Sequence, residues 1–487
     1  GPSPPIYTAP FGVKIARIFF TNIDGRNPLG FMFLDNGDID QVNLNTGAVV
    51  HLGHAWTPDQ PPFYPADLKL WVPSQFGAGP GQQGGVVIGS PLGLFAWDGA
   101  TLYAPGDAPP LWLTGGATQD ANGDPLVMPT GLPGIYAMEV YKERLWVMGQ
   151  TVIAFSGPNN GAVFDAADGG GAFPYHGDQL TMTYTDLHQM AGSIYFFGDS
   201  MINVVTDLSL VSGAATQGPV GTIVRWSAQF NVQSMDPQVG QRFMRPVGIW
   251  EQAATLWNGS GIYLLSGSQT TWASAKLTNL MATLNFSQFL PTMAPAHIFG
   301  LKWMLFLGDF LDPFGVQRPI ILCWSGPQSN VWVMASQHLN LTNIGAYEQN
   351  SVITPYGTDG NVLVQLFAQP DPTLLKRLDS KMYFGNQSFS SSLAIKDWKR
   401  IYVELTDGLR SGGAGTALTG SFTTAGGGIP NGTQEVSFNV GPFEFNCVPY
   451  PIAGKGLYGA LTLTSISPDF AISKISLTFE QRMLFGA

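Results

Sequence analysis

Charge is scarce in this chain. Its 487 residues include 22 Lys and Arg and 33 Asp and Glu, so 11% are charged, against about 25% in an ordinary soluble domain. Glutamate is rarer still, with eight in the chain and the first at Glu139. Long helices draw on Ala, Leu, Glu, Lys, Gln and Arg. A chain with 11 Lys, 11 Arg and 8 Glu beside 60 Gly cannot supply them, which excludes helical bundles and coiled coils. No run reaches the roughly 18 apolar residues of a membrane helix; Trp303 to Leu311 is interrupted by Gly308 and Asp309. No lysine-led signal peptide opens the chain, and a soluble protein without membrane insertion is expected. Gly1-Pro2-Ser3-Pro4-Pro5 lacks an initiator Met, as expected of a chain that was cleaved, cut from a tag or numbered from its first ordered residue. Two cysteines, Cys323 and Cys447, make no disulfide framework and are expected as buried free thiols.

What the chain does hold is 60 Gly and 36 Pro, together roughly one residue in five, with 12% aromatic and 45% apolar residues. That much apolar surface offsets the entropy of ordering a Gly- and Pro-rich chain, so a large core is expected. The default is a large all-β protein of many short strands and turns. The net charge of −11 is uneven: residues 1–375 hold 12 basic and 25 acidic side chains, residues 376–487 hold 10 and 8. Nothing here is a basic footprint for nucleic acid.

A unit recurs along the first three quarters of the chain. It consists of an apolar run, a glycine-centred turn and a second apolar run. Gly30-Phe31-Met32-Phe33-Leu34 leads through Gly37 to Ile39, and Val86-Val87-Ile88-Gly89 leads to Leu94-Phe95-Ala96-Trp97. Leu145-Trp146-Val147-Met148-Gly149 precedes Val152-Ile153-Ala154-Phe155, and Ile194-Tyr195-Phe196-Phe197-Gly198 precedes Met201-Ile202-Asn203-Val204-Val205. Leu256-Trp257-Asn258-Gly259 precedes Ile262-Tyr263-Leu264-Leu265, Met304 to Gly308 precedes Ile320-Ile321-Leu322, and Val352-Ile353 passes through Gly357 to Val362-Leu363-Val364. The turn glycines, at 37, 89, 149, 198, 259, 308 and 357, are 52, 60, 49, 61, 49 and 49 residues apart. A Ser-Gly pair follows the second run at Ser156-Gly157, Ser266-Gly267 and Ser325-Gly326. One hairpin per period, with weaker strands between, suits a four-stranded antiparallel blade. Six or seven blades in a ring bury both faces of each sheet, which explains runs in place of strict alternation. A sandwich array or a β-helix is the alternative. The expected fold is all-β, a six- or seven-bladed β-propeller over 1–375 with long inserted loops.

The pattern stops after Phe367, and Gln369-Pro370-Asp371-Pro372-Thr373 reads as a linker. Trp398 to Leu405, Val436 to Val440, Leu457 to Leu463 and Ile472 to Phe479 read as strands, the last with period-two alternation. Ser411 to Gly432 reads as a loop or wide turn. Residues 376–487 are expected to form a small β-sandwich-like domain that ends in a docked strand.

No catalytic constellation rises from the residues. His51 and His54 have Asp59 as their nearest acid in sequence and no metal-ligand spacing. His176 with Asp178, and Asp186 with His188, are short-range pairs in turn-rich sequence. Gly259-Ser260-Gly261 is a hairpin turn and not a nucleophile elbow. Gly77-Ala78-Gly79-Pro80-Gly81 is broken by its proline as a phosphate loop. Asp165, Asp168 and Gly169-Gly170-Gly171 lack the spacing of a calcium loop and read as a turn. The sialidase-type blade turn is incomplete at Ser266 to Trp272, and Trp97-Asp98 stands alone. The sequons at Asn258, Asn285, Asn340, Asn386 and Asn431 are expected by chance. No catalytic, cofactor-binding or metal-binding residue is assigned, no cofactor is expected, and the chain is not expected to be an enzyme.

Tyr136-Ala137-Met138-Glu139-Val140 through Leu145 to Gly149 and Ile153 to Ser156 resembles the tail nozzle proteins of short-tailed bacteriophages, also called packaged-DNA stabilisation or tail-tube proteins. Met190 to Ile202 and the closing strand Ile472 to Glu480, after Pro468-Asp469, are similar to the same family. The likeness is one of layout over most of the chain, with no diagnostic short motif. It implies a structural virion protein of the head–tail connector complex: a homohexameric ring at the distal end of the tail. An adaptor ring would lie above it, with tail fibres or spikes and a tail-tip protein as further partners. Double-stranded DNA would be retained, then pass through the channel during ejection without specific binding. Six copies of residues 1–375 would carry roughly −78, and an acidic lining repels DNA and lets it slide. Two other functions remain open. A carbohydrate- or host-binding propeller would stack sugars on exposed aromatics such as Trp56, Trp112 and Trp272, although core packing is the expected job of such residues. A glycoside-cleaving propeller would need paired carboxylates in one cleft.

Overall fold

The computed structural model describes residues 3–23, 25, 27–57, 64–72, 84–132, 134–149, 152–174, 184–199, 202–218, 221–236, 248–250, 253–258, 260–267, 269–286, 291–298, 301–311, 316–326, 331–334, 339–368, 380–387, 394–405, 416–425, 432–440, 447–465 and 472–483. The chain forms two compact units, Gly1–Gln369 and Pro370–Ala487. The sequence pattern placed this division at 375/376. The proposed linker, Gln369 to Thr373, lies outside the described residues.

The first unit is a β-propeller. Its described residues form seven antiparallel sheets of four strands. The first holds Ile15–Thr21, Leu29–Leu34, Asp38–Asn43 and Val49–His54; the second Asp67–Trp71, Gly85–Ser90, Gly93–Trp97 and Leu102–Tyr103. The third holds Ala137–Tyr141, Arg144–Met148, Val152–Phe155 and Gly171–Pro174; the fourth Tyr184–Met190, Ser193–Gly198, Ile202–Gly218 and Gly221–Asp236. The fifth holds Gly248–Trp250, Ala253–Asn258, Gly261–Ser266 and Gln269–Trp272; the sixth Thr292–Ile298, Leu301–Leu311, Gln317–Trp324 and Trp332–Met334. The seventh draws Leu341–Gln349, Val352–Asp359 and Val362–Gln365 from the end of the unit and Tyr7–Thr8 from its beginning.

Each recurrent pair of apolar runs is the second and third strand of one sheet. The runs within these strands are apolar because each faces a sheet on both sides. Phe31 and Phe33 pack toward the second sheet, whereas Met32 and Leu34 between them pack toward the seventh. Leu145 and Val147 join a layer with the second sheet, and Trp146 and Met148 one with the fourth. Buried apolar layers join sheets one to two, two to three, three to four, four to five, five to six, six to seven, and seven back to one. That closed cycle defines a ring. Tyr7 and Thr8 complete it by pairing with Leu363 and Val362. The Tyr7 hydroxyl reaches across to Asp40 of the first sheet at 2.5 Å. Burial, with the Asp40 carboxylate beside it, pushes the Tyr7 phenol pKa upward.

The turns differ in part from expectation. Gly37, at a φ of 94°, does turn a hairpin. Gly89, Gly308 and Gly357 lie within strands instead, and Gly259 is outside the described residues. They are glycines because of close approach: a Cβ on Gly89 would stand 2.5 Å from Ile135 Cγ2 and 2.7 Å from Met138 Sδ. Tight turns instead join first to second strands at Lys142-Glu143, Ala191-Gly192 and Asn350-Ser351, where both φ values are positive. This is the mirror-image turn that matches strand twist.

One element is absent from the repeat pattern. Ile202–Gly218 pairs with Ser193–Gly198 only through Ile202 to Val205, yet its pairing with Gly221–Asp236 runs on to Gly218 and Gly221. A two-stranded arm therefore continues beyond the fourth sheet, for about 40 Å at about 3.3 Å per residue. Its signal was present as Leu208 to Val211 and Thr222 to Phe230 around Gln217-Gly218-Pro219-Val220-Gly221.

The second unit stacks a four-stranded sheet (Ser380–Gln387, Tyr458–Ser465, Thr416–Ala425, Gly432–Val440) and a three-stranded one (Cys447–Gly456, Ala394–Leu405, Ile472–Met483) around one core. Trp398 of one sheet meets Phe422 of the other edge-on, with ring centroids 5.5 Å apart. The segment expected as a loop, Ser411 to Gly432, contains the strand Thr416–Ala425. Its glycine-rich flanks masked a threonine-rich run that buries Phe422.

The packing around Gly89 yields a stability test. Gly89→Ala should cost about 1–3 kcal/mol, the range for overpacking a filled core. Gly131→Ala, where no atom lies within 4 Å of the added methyl, should leave the melting midpoint unchanged. Thermal and urea unfolding of both variants measures the difference.

Candidate axial ionic site

The first strands of neighbouring sheets lie side by side, as Ile15–Thr21 does with Asp67–Trp71 and Leu341–Gln349, and Ala137–Tyr141 with Asp67–Trp71 and Tyr184–Met190. Each is hydrogen-bonded within its sheet on one edge only. Polar side chains bridge the remaining gap. Asp67, buried, accepts the Met138 N–H at 2.7 Å and the Leu68 N–H at 2.7 Å. Thr292 Oγ1 accepts the Ile344 N–H at 3.2 Å, and Asn343 Nδ2 donates to the Ala16 carbonyl at 3.1 Å. Arg17 Nε donates to the Tyr64 carbonyl at 3.2 Å.

The strongest bridge spans three sheets. Lys69, Glu139 and His188 sit on the first strands of sheets two, three and four, with Asp186 two residues before His188. Lys69 Nζ lies 3.2 Å from Glu139 Oε2, and His188 Nδ1 lies 3.7 Å from the same oxygen. His188 Nε2 lies 3.2 Å from Asp186 Oδ2. Glu139 Oε2 also accepts the Gln189 N–H at 3.3 Å. The imidazole therefore faces an acid at each nitrogen, and Asp186 is 1% exposed.

Burial alone would raise the Glu139 pKa, but the Lys69 ammonium and His188 outweigh it and hold the carboxyl at about 2. Burial would likewise lower His188; Asp186, by charge and hydrogen bond, and Glu139 overcome it and lift the imidazole to about 9. At neutral pH the Glu139 carboxylate is therefore ionised and the His188 imidazole protonated. Glu139 has no proton to donate and His188 keeps its own. The arrangement is an ionic clasp between three strands, unsuited to general acid or base work.

Only part of this was visible in sequence. Asp186 and His188 were noted as a short-range pair and do meet, but Lys69 and Glu139 were not connected to them. Lys69 and Glu139 lie 70 positions apart and Glu139 and His188 lie 49 apart along the chain, and only the ring brings them together. His51 and His54 pair with acids of the neighbouring strand: His51 Nδ1 is 2.7 Å from Asp40 and His54 Nδ1 is 3.5 Å from Asp38, whereas Asp59 lies outside the described residues. Cross-strand register supplies these partners, since Asp40 faces His51 and Asp38 faces His54. His176 with Asp178, and Gly77 to Gly81, lie outside the described residues. Asp168 sits in a turn, where Oδ1 accepts the Ala121 N–H at 3.0 Å. Burial, with Asp120 and Asp165 near, raises its pKa. Among the described residues no group of three or more His, Cys, Asp or Glu is placed to hold a metal ion. Cys323 is a buried free thiol that burial pushes up to about 11; the Cys447 side chain is outside the described residues. Of the three tryptophans a sugar-binding propeller could use, Trp56 and Trp112 take the core-packing role instead. Trp56 packs in the layer between sheets one and two, and Trp112 in that between two and three. Trp272 is 41% exposed. Among the described residues no helix is long and apolar enough to cross a membrane.

No protein-family model matches the chain, and no curated protein matches it. Among solved structures it is similar to BBS1N in complex with ARL6DN, soaked with lead, at 9% identity over 76% of this chain and 98% of that one, with a TM-score of 0.41. It is also similar to an exo-β-1,3-galactanase from Phanerochaete chrysosporium, at 13% identity over 75% of this chain and 99% of that one, with a TM-score of 0.25. A sialidase from Trypanosoma rangeli is a third, at 8% identity over 74% of this chain and 93% of that one, with a TM-score of 0.21.

The two shifts set a pH window. The Glu139 carboxyl, depressed from 4.5 to about 2, stabilises the fold above pH 4.5 and loses that contribution as pH falls toward 2. The His188 imidazole, raised from 6.5 to about 9, contributes fully below pH 6.5 and loses its contribution as pH rises through 9. The clasp is therefore strongest between about pH 4.5 and 6.5. Melting temperature should fall from pH 6.5 to 9.5 in the unmodified protein. His188→Gln should be less stable at pH 6 and flatter across that interval. Equal slopes in the two proteins would show that His188 does not carry the effect.

Proposed function

We propose that this protein is a structural ring subunit of a short bacteriophage tail, of the nozzle class, which retains packaged DNA and conducts it during ejection. The observation that carries this is the arm of the fourth sheet. An isolated two-stranded ribbon is marginally stable in water and exposes backbone edges. From Leu208 to Met235 the arm's only charged residue is Arg225, so it lacks the lysines and acids that keep a free edge soluble. Such an element calls for a neighbouring chain, and copies joined head to tail close into a ring. The charge balance supports DNA as the passing cargo. Residues 1–375 carry 25 acidic and 12 basic side chains, and the cations Lys69 and His188 are engaged by Glu139 and Asp186. Phosphate would meet repulsion and no grip.

Native mass spectrometry should find a closed ring, with six subunits as the expected number. Replacing residues 207–228 with Asn-Gly should abolish the ring while leaving the melting temperature of the propeller within a few degrees. An electrophoretic shift assay with double-stranded DNA at about 0.15 M salt, where exposed charges still act over about 8 Å, should show no complex. A monomeric unmodified protein at micromolar concentration, or tight DNA binding, would sink the assignment.

A further inference from the structure

A second outward feature lies on the fifth sheet and does not depend on the tail assignment. Trp272 ends the outermost strand, Gln269–Trp272, directly opposite Tyr263. The two rings stack with centroids 6.0 Å apart and planes 9° from parallel. The indole Nε1 donates to Ser274 Oγ at 3.2 Å, and that oxygen is itself buried and accepts the Ile262 N–H at 2.9 Å. Beneath the ring, a Cβ on Gly261 would stand 2.5 Å from Trp272 Nε1 and 2.6 Å from Ser274 Oγ. Glycine is required there for the indole to lie where it does. The ring is thus fixed at its nitrogen, on one face and from below, yet Trp272 stays 41% exposed.

We infer that this corner is a binding platform for a neutral pyranose, the sugar's C–H face stacking on the open part of the Trp272 indole. A pinned aromatic loses little side-chain freedom on binding, so stacking energy is retained in the affinity. The surrounding polar groups suit hydroxyls. Asn258 Oδ1 orders the turn by accepting from the Ser260 N–H at 3.0 Å and the Ser260 hydroxyl at 2.8 Å. Ser260 Oγ in turn lies 3.3 Å from the Tyr263 hydroxyl. Charge argues for neutrality in the ligand: from Gln252 to Ala275 the chain has no Asp, Glu, Lys or Arg. A phosphate or carboxylate ligand would lack a cation in this segment, whereas a sugar needs none.

The test uses the full chain labelled with 5-fluorotryptophan, the Trp272 fluorine signal being identified by its loss in Trp272→Phe. Maltotriose, N,N′,N″-triacetylchitotriose and methyl β-D-galactopyranoside are the probes. At least one should move the Trp272 signal saturably, with a midpoint near about 1 mM, which corresponds to about −4 kcal/mol. The other tryptophan signals should stay in place. Gly261→Ala should raise that midpoint at least tenfold, and Trp272→Ala, followed by isothermal titration, should abolish binding. The inference is overturned if no probe moves the signal at about 20 mM, a twentyfold excess over that midpoint. It is also overturned if the signal moves only with protein concentration, because a second copy would then be the occupant.

Discussion

The seven apolar layers between neighbouring sheets are what the rest of the propeller depends on. No sheet owns a core. Phe31 and Phe33 need the second sheet, Met32 and Leu34 need the seventh, and the same holds around the ring. Burial on this scale stabilises only when the cycle is complete, since one open layer exposes two apolar faces to water. Completion falls to a two-residue strand, Tyr7–Thr8. Its brevity is offset by further bonds on either side: the Ser3, Ile6 and Ala9 N–H groups donate to the carbonyls of Gln365, Leu363 and Asn361. Tyr7 belongs to the layer that joins the seventh sheet to the first, so one residue serves both the ladder and the packing.

A ring of sheets creates a second constraint near its axis. First strands approach one another without forming a common ladder, so each presents backbone groups that need partners. The bridges by Asp67, Thr292, Asn343 and Arg17 answer that need with side chains. Charges there are partly or fully withdrawn from water and must pair, because an unmatched one costs several kcal/mol. Lys69, Glu139, His188 and Asp186 satisfy this requirement among themselves. The chain's earliest glutamate is thus spent on holding strands.

These two constraints explain what could be read in sequence. Second and third strands, enclosed on both sides, announced themselves as unbroken apolar runs such as Val86 to Ile88 and Leu305 to Leu307, and their spacing implied a propeller. First strands were harder to find, since Lys69 and Glu139 interrupt them with charge demanded by the axis. Fourth strands were harder still, being half in water: Val49–His54 is largely exposed and Leu102–Tyr103 is two residues long. Glycine misled in both directions. Gly89, Gly308 and Gly357 recur for close packing and not for turning, whereas Lys142-Glu143 and Asn350-Ser351 turn without glycine. Trp56 and Trp112 follow the core-packing reading of large aromatics, in layers that neighbouring sheets complete. The axial clasp was illegible in principle from one sequence, as its members meet only through ring closure.

The contrast between axis and periphery bears on where function lies. At the axis acids and bases are matched, two against two, and Glu139 and His188 keep their charges across the neutral range. A site with every charge satisfied has little left to offer a substrate. The outer parts of sheets four and five are the reverse. The arm continues past its sheet with a single charge from Leu208 to Met235, and Trp272 is held rigid while still facing water. Folding alone does not account for the exposed ring, since a large indole is better buried. Charge follows the same contrast: four charged side chains meet across the first strands of sheets two to four, the stretch from Leu208 to Met235 holds one, and that from Gln252 to Ala275 none.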